Sequence, residues 1–221
     1  MSPYPRHVPR AVAVLLLVGL VSAGVARAAG GDPQKRLTPA DQARAKAMLL
    51  RRSDLPTGYR VARQSSLRDV YCAAVDDSDL VVTGEARSGF ERTPVAVASA
   101  SEIYRTLANA NANAAWRRST SPGGRTCLEQ ELRRELASLG VRRIHTAAPF
   151  ALPALAQRRY LFRIAGSAQG IPVAFDLVAL QRGRAQAVLL FASALEPVAK
   201  AEQARLAGLV AARMKTALRS P

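Results

Sequence analysis

Residues 158–192 read RRYLFRIAGSAQGIPVAFDLVALQRGRAQAVLLFA, and the fold class follows from them. Three apolar runs, Arg158 to Ala165, Ile171 to Leu180 and Ala185 to Ala192, are separated by Gly166 to Gly170 and by Arg182-Gly183-Arg184. Short runs rich in branched and aromatic residues, punctuated by glycine, are strands joined as hairpins. The second and third runs are apolar on both faces, so they belong in the middle of a sheet covered on both sides. Beyond them Val198 to Leu218 repeats apolar residues at helical spacing, with Leu206, Leu209, Val210, Arg213, Met214 and Ala217 along one side, and predicts a long C-terminal helix.

Upstream the same logic gives a second unit of strands and helices. Leu80 to Phe90 and Pro94 to Tyr104 form an antiparallel pair across the Arg92-Thr93 turn, with Val95, Val97, Ser99, Ser101 and Ile103 on one face and Ala96, Ala98, Ala100, Glu102 and Tyr104 on the other. Leu107 to Arg118 is an alanine-rich helix whose Trp116 is expected in the core. Ser121 to Gly124 break the chain, and Cys127 then opens a helix with the stripe Leu128, Leu132, Leu136 and Leu139, ended by Gly140. Val141 to Thr146 is a strand, and Pro149 to Pro153 an irregular link. Thr38-Pro39-Ala40-Asp41 carries a hydroxyl cap and a proline at the first helical position, and opens a helix that stops before Asp54-Leu55-Pro56. Tyr59 to Gln64 then begins the sheet. The expected architecture is a single α+β domain over residues 38–219, an antiparallel sheet flanked by helices, with one disulfide.

The N-terminus has the charge-then-apolar order of a secretion signal: Arg6 and Arg10 precede the run Ala11 to Ala26, and Ala26-Arg27-Ala28 supplies a small-x-small cleavage site. Residues 1–28 are therefore expected to be a signal peptide cleaved after Ala28, and 29–37 a flexible linker. The run is shorter than the roughly 20 residues that span a bilayer, so no stable membrane segment is expected after processing. The destination is secreted or extracytoplasmic. Cys72 and Cys127 are the only cysteines, and an even number in an exported chain reads as one bridge, closing a loop of about 55 residues worth roughly 4 kcal/mol.

The net charge of +16 and pI near 11.3 attract anionic surfaces such as acidic wall polymers and lipid headgroups. Arginine pairs are scattered along the chain and not interleaved with aromatics, and with export this argues against nucleic acid as a partner. The sequence holds no Gly-x-Ser-x-Gly, Ser-x-x-Lys, His-Glu-x-x-His, phosphate loop or dinucleotide fingerprint. Past residue 28 His145 is the sole histidine, which excludes mechanisms needing two and reads as structural. No catalytic residue, cofactor or metal is expected. The acidic run Asp76-Asp77-Ser78-Asp79 lacks the glycine of a calcium loop and reads as a solvated turn. One polar residue is out of place: Asp176 interrupts an apolar strand. If the hairpin turns over Gly166 to Gly170, Asp176 lies opposite Tyr160 on the face of Phe162 and Ile164, hydrogen-bonded to Tyr160 or a nearby arginine, as a structural partner or as the floor of a ligand pocket.

Asp54-Leu55-Pro56 with Gly58-Tyr59 after a short helix resembles the PknH-type extracellular sensor domain and the related LpqN-type exported actinobacterial envelope proteins. Cys72 followed by paired strands, an alanine-rich helix and Cys127 also fits, as do Val173 to Leu180 and Arg182-Gly183-Arg184. The resemblance spans most of residues 37–218, with one cysteine pair where the kinase sensors typically carry two. It implies an antiparallel sheet flanked by helices with a cleft, and a binding or sensing role in the envelope. The expected function is a non-enzymatic binding domain for a small apolar or anionic molecule, lipid or wall component. The alternatives are a structural protein docking through its basic surface on anionic wall polymer or another exported protein, and a hydrolase built on Asp176.

Overall fold

The computed structural model describes residues 33–62, 75–108, 111–147 and 151–219, and these described residues form eight strands and four helices. The strands are β1 (Gln34–Lys35), β2 (Arg60–Val61), β3 (Val81–Arg92), β4 (Val95–Tyr104), β5 (Val141–Ala147), β6 (Arg158–Ala168), β7 (Ile171–Arg182) and β8 (Ala185–Ala194). The helices are α1 (Pro39–Met48), α2 (Ala112–Thr120), α3 (Pro122–Ser138) and α4 (Lys200–Ala217), with a short 3-10 turn at Arg52–Asp54. The segment expected to be a signal peptide and Cys72 lie outside the described residues.

The sheet runs β1-β3-β4-β8-β7-β6-β5, with β2 also on β3, and every pairing is antiparallel except β1 with β3. The two hairpin units meet where β4 pairs with β8, Val97 opposite Phe191 and Ser99 opposite Leu189. This puts β7 and β8 in the interior, as their two-faced apolar character requires. Gln34 and Lys35, expected in a flexible linker, instead follow the edge of β3, with Gln34 and Arg36 N–H donating to Leu80 and Val82 carbonyls at 2.8 and 2.9 Å. Edge groups of β3 left open by β4 give these residues their partners.

Strand alternation divides the core into two layers. One face carries Phe90, Val97, Val178, Leu180, Leu189 and Phe191 against α1 and α4. From α4 come Leu206, Ala207, Val210, Ala211, Met214 and Ala217, spaced as one stripe of a 3.6-residue helix. The other face carries Ala96, Ala98, Phe162, Ile164, Phe175, Leu190 and Ala192 against Leu132, Leu136 and Leu139 of α3. Beside it, Leu80, Val82 and Tyr104 pack on Ala112, Ala114 and Ala115 of α2. Trp116 of α2 is buried, as expected.

Polar residues set how closely α1 approaches. Thr38 caps the helix, its hydroxyl accepting from Asp41 N–H at 3.2 Å. Gly84 sits under the first turn: a Cβ there would lie 2.3 Å from the Asp41 carbonyl oxygen, so only glycine lets β3 pass. Ser101 donates to the Ala45 carbonyl at 2.8 Å and Ser99 accepts from Leu50 N–H at 2.9 Å, satisfying groups the helix end leaves open. Asp41 turns inward and receives both Arg184 nitrogens at 2.6 and 2.7 Å, Thr83 at 2.6 Å and Arg44 at 2.8 Å. The Asp54-Leu55-Pro56 loop is tied to α4 in the same way, Arg213 holding both Asp54 oxygens at 2.6 and 2.7 Å.

Candidate functional site

Asp176 is buried at 1% exposure, but not beside Tyr160. The β6–β7 hairpin turns over Gln169 and Gly170 alone, both at positive φ (50° and 81°), so Ala168 faces Ile171 and the register brings Arg163 opposite Asp176. Tyr160 pairs with Ala179. Three positions separate Tyr160 from Arg163, an odd number, so Tyr160 and Asp176 fall on opposite faces. The expected Tyr160 contact is thus replaced by the other partner considered, an arginine. Arg163 Nη2 donates to Asp176 Oδ2 at 2.8 Å and its Nε to Oδ1, while Gln203 Nε2 from α4 donates to Oδ2 at 2.7 Å. The carboxylate is filled by protein donors under α4, which suits a strut better than a ligand contact.

Tyr160 lies on the other face, half-buried and stacked on Phe162 with ring centroids 6.5 Å apart. Burial pushes its phenol up from the usual value, with Arg125 opposing and Glu129 adding to the shift. These two residues belong to α3, so Tyr160 stands at the rim of the space between that helix and the sheet. The space is a crevice lined by Leu132 and Leu136 from α3 and by Phe162, Ile164, Phe175, Leu177 and Leu190 from β6, β7 and β8. Counted out to open solvent it measures about 260 Å³, and its interior has room for little more than one water molecule.

The helix that roofs the crevice is lightly seated. Only Gly124 and Leu136 of α3 are buried, against seven residues of α4. Its polar ties run mainly to the edge strand: Arg133 donates to the Ile144 carbonyl at 2.6 Å, and Thr146 donates to Glu129. The hydrogen bond from Thr146, followed by Arg133, holds the Glu129 carboxyl below its usual value. At its other end α3 joins α2 through an elbow at Ser121, whose hydroxyl donates to the Arg118 carbonyl at 2.8 Å and accepts from Gly124 N–H at 3.0 Å.

Other residues singled out from sequence fall elsewhere. His145 is exposed on β5, its Nδ1 3.0 Å from the Arg143 carbonyl. Cys127, in the second turn of α3, packs against Val75, while its expected partner Cys72 lies outside the described residues. The acidic run is a turn exposed at Asp76, Ser78 and Asp79, as expected, but Arg118 reaches back from α2 to Asp77 and Asp79, and the Asp77 side chain is only 18% exposed. Among the described residues no group of three or more His, Cys, Asp or Glu side chains could hold a metal, and no helix is long and apolar enough to cross a membrane. No protein-family model matches the sequence, and no curated protein matches it. The reading of function therefore rests on this geometry.

Proposed function

We propose that this chain is an exported, non-enzymatic binding domain of the cell envelope or extracellular space, and that the apolar part of a small molecule or lipid enters between α3 and the sheet. The carrying observation is the crevice, lined by seven apolar side chains under a helix with two buried residues. A space walled by leucine, isoleucine and phenylalanine is poorly wetted and gains free energy when an apolar group fills it. Its enclosed volume is small, so binding requires α3 to lift, which costs less at this helix than at α4. The lining supplies no nucleophile and no acid or base, which supports a binding role over hydrolysis. Tyr160 belongs to this reading as a rim residue, and Asp176 as a strut.

The same proposal includes export by the N-terminal signal, cleavage after Ala28 and a bridge between Cys72 and Cys127. The packing of Val75 against Cys127 supports the bridge, since only two residues of chain separate Val75 from Cys72. It would anchor the base of α3 while leaving the Leu132–Leu136 part free to move. The likeness to PknH-type and LpqN-type envelope domains agrees with such a role. Docking through a basic surface is the alternative: ion pairs engage Arg44, Arg60, Arg118, Arg133, Arg163, Arg184, Arg205 and Arg213, and the net charge of +16 is left for it.

The test is binding of a fluorescent long-chain fatty acid to the mature protein and to Leu132→Trp, which fills the crevice from a half-buried helix position. Saturable binding lost in the variant is expected. Equal binding by both proteins, or none by the wild type, would sink the proposal.

A further inference from the structure

Where α2 ends, Arg118 spans the segment that leads into β3. Its Nη1 donates to Asp79 Oδ1 at 2.6 Å, to Asp77 Oδ1 at 3.2 Å and to the Asp76 carbonyl, and its Nη2 donates to Asp79 Oδ2 at 2.9 Å. The two aspartates share this cation unequally. Asp79 is half-exposed and takes the guanidinium with both oxygens, whereas Asp77 is mostly buried and has one long contact. Glu102 on β4, buried and hydrogen-bonded by Tyr104 Oη at 2.8 Å, adds like charge facing Asp77. A carboxylate that is desolvated, weakly paired and beside other carboxylates is the member of such a cluster that takes up a proton first.

We propose that Asp77 operates an acid-tightened clasp: on acidification it takes one proton from solvent, yields its share of Arg118 to Asp79, and the segment from Val75 to Leu80 binds more firmly to α2 and β4. Burial pushes the Asp77 carboxyl up to about 6, with Arg118 opposing the shift and Glu102 and Asp79 adding to it. Because the folded value lies above the unfolded one, this stabilisation is fully present below about pH 4 and is lost as pH rises through about 6. Between pH 7 and pH 5 the folding equilibrium constant should rise about tenfold from this group alone. The clasp also bears on the elbow below it: a Cβ at Gly124 would lie 2.1 Å from the Arg118 carbonyl oxygen, so the end of α2 and the base of α3 are in direct contact. This inference stands apart from the ligand proposal.

The chain's one tryptophan, Trp116, is buried two residues before Arg118 and reports on this region by its fluorescence. Denaturant unfolding of the mature protein, followed through Trp116, is compared at pH 7 and pH 5 with that of Asp77→Asn. The wild type should gain about tenfold in its folding constant, while the variant gains none from this source and at pH 7 is already more stable than the wild type at pH 5, because its amide is neutral in the folded and the unfolded chain alike. The same gain in both proteins overturns the proposal. If Asp77→Asn does not fold, carboxyl carbon chemical shifts of the wild type decide: a midpoint near 6 for Asp77 is expected, and one near 4 refutes it.

Discussion

Asp176→Ala removes the acceptor of two arginine donors and of Gln203 at a site that is 1% exposed. The Arg163 side chain, 13% exposed, is left without the carboxylate that holds it, and Gln203 Nε2 keeps only the Val198 carbonyl at 2.9 Å. Breaking a buried ion pair from one side costs about 3–5 kcal/mol, because the surviving charge stays out of water. Arg163 retains some access to solvent, so the lower end applies, about 3 kcal/mol, or a Tm drop of roughly 6–12 °C for a domain of this size. Thermal unfolding by circular dichroism measures it. The double variant Asp176→Leu with Arg163→Met removes both charges and should recover most of the loss, since apolar replacement of a whole buried pair is often neutral. Fatty-acid binding should persist in any variant that remains folded, because Asp176 faces α4 and not the crevice. A single-variant cost below about 1 kcal/mol, or a double variant no better than the single, would refute the strut reading.

Gly84→Ala should destabilise by more than about 2 kcal/mol in the same assay, since its Cβ would meet the Asp41 carbonyl at 2.3 Å and push α1 off β3. The hydrogen bonds of Arg184, with those of Thr83 and Arg44, hold the Asp41 carboxyl far below the usual carboxylate range despite its burial. Its folded value lies below the unfolded one, so its contribution is present above about pH 4 and is lost as pH falls further; an acid-unfolding titration should show a shallower dependence below that pH in Arg184→Ala. If Cys72 and Cys127 are bridged, reduction should lower stability by up to roughly 4 kcal/mol and add two protons to the denatured intact mass. An unchanged mass on reduction would remove the bridge.

The central strands and the C-terminal helix were legible because each carries its own periodicity. Two-faced apolar runs at Ile171 to Leu180 and Ala185 to Ala192 demand neighbours on both sides, and β7 and β8 have them. The register of β6 on β7 was not legible, because Gly166 and Gly170 are equally good turn residues by composition. Only Gly170 turns the chain, with Gln169. Gly166 stays in the strand because β5 passes over it: a Cβ there would lie 2.7 Å from Val141 Cγ1 and 2.9 Å from the Arg142 carbonyl. That close approach is a tertiary fact, and it moves Asp176 to the face opposite Tyr160. Asp41 shows the same limit. Its position after a hydroxyl cap suggests local capping, yet its strongest partner, Arg184, is 143 residues away. The crevice was half legible: the leucine stripe of α3 marks an apolar helix face, but its sparse burial becomes visible only once the helix is laid on the sheet.

The most direct test of the binding proposal is the native mass of the protein exported by its own or a related host, recorded beside that of Leu132→Trp. A mass above the polypeptide that begins at Ala29, lost on denaturation and absent from the variant, is the predicted result. A wild-type protein with no excess mass, together with salt-sensitive attachment to anionic wall polymer, would contradict the account and assign the function to the basic surface.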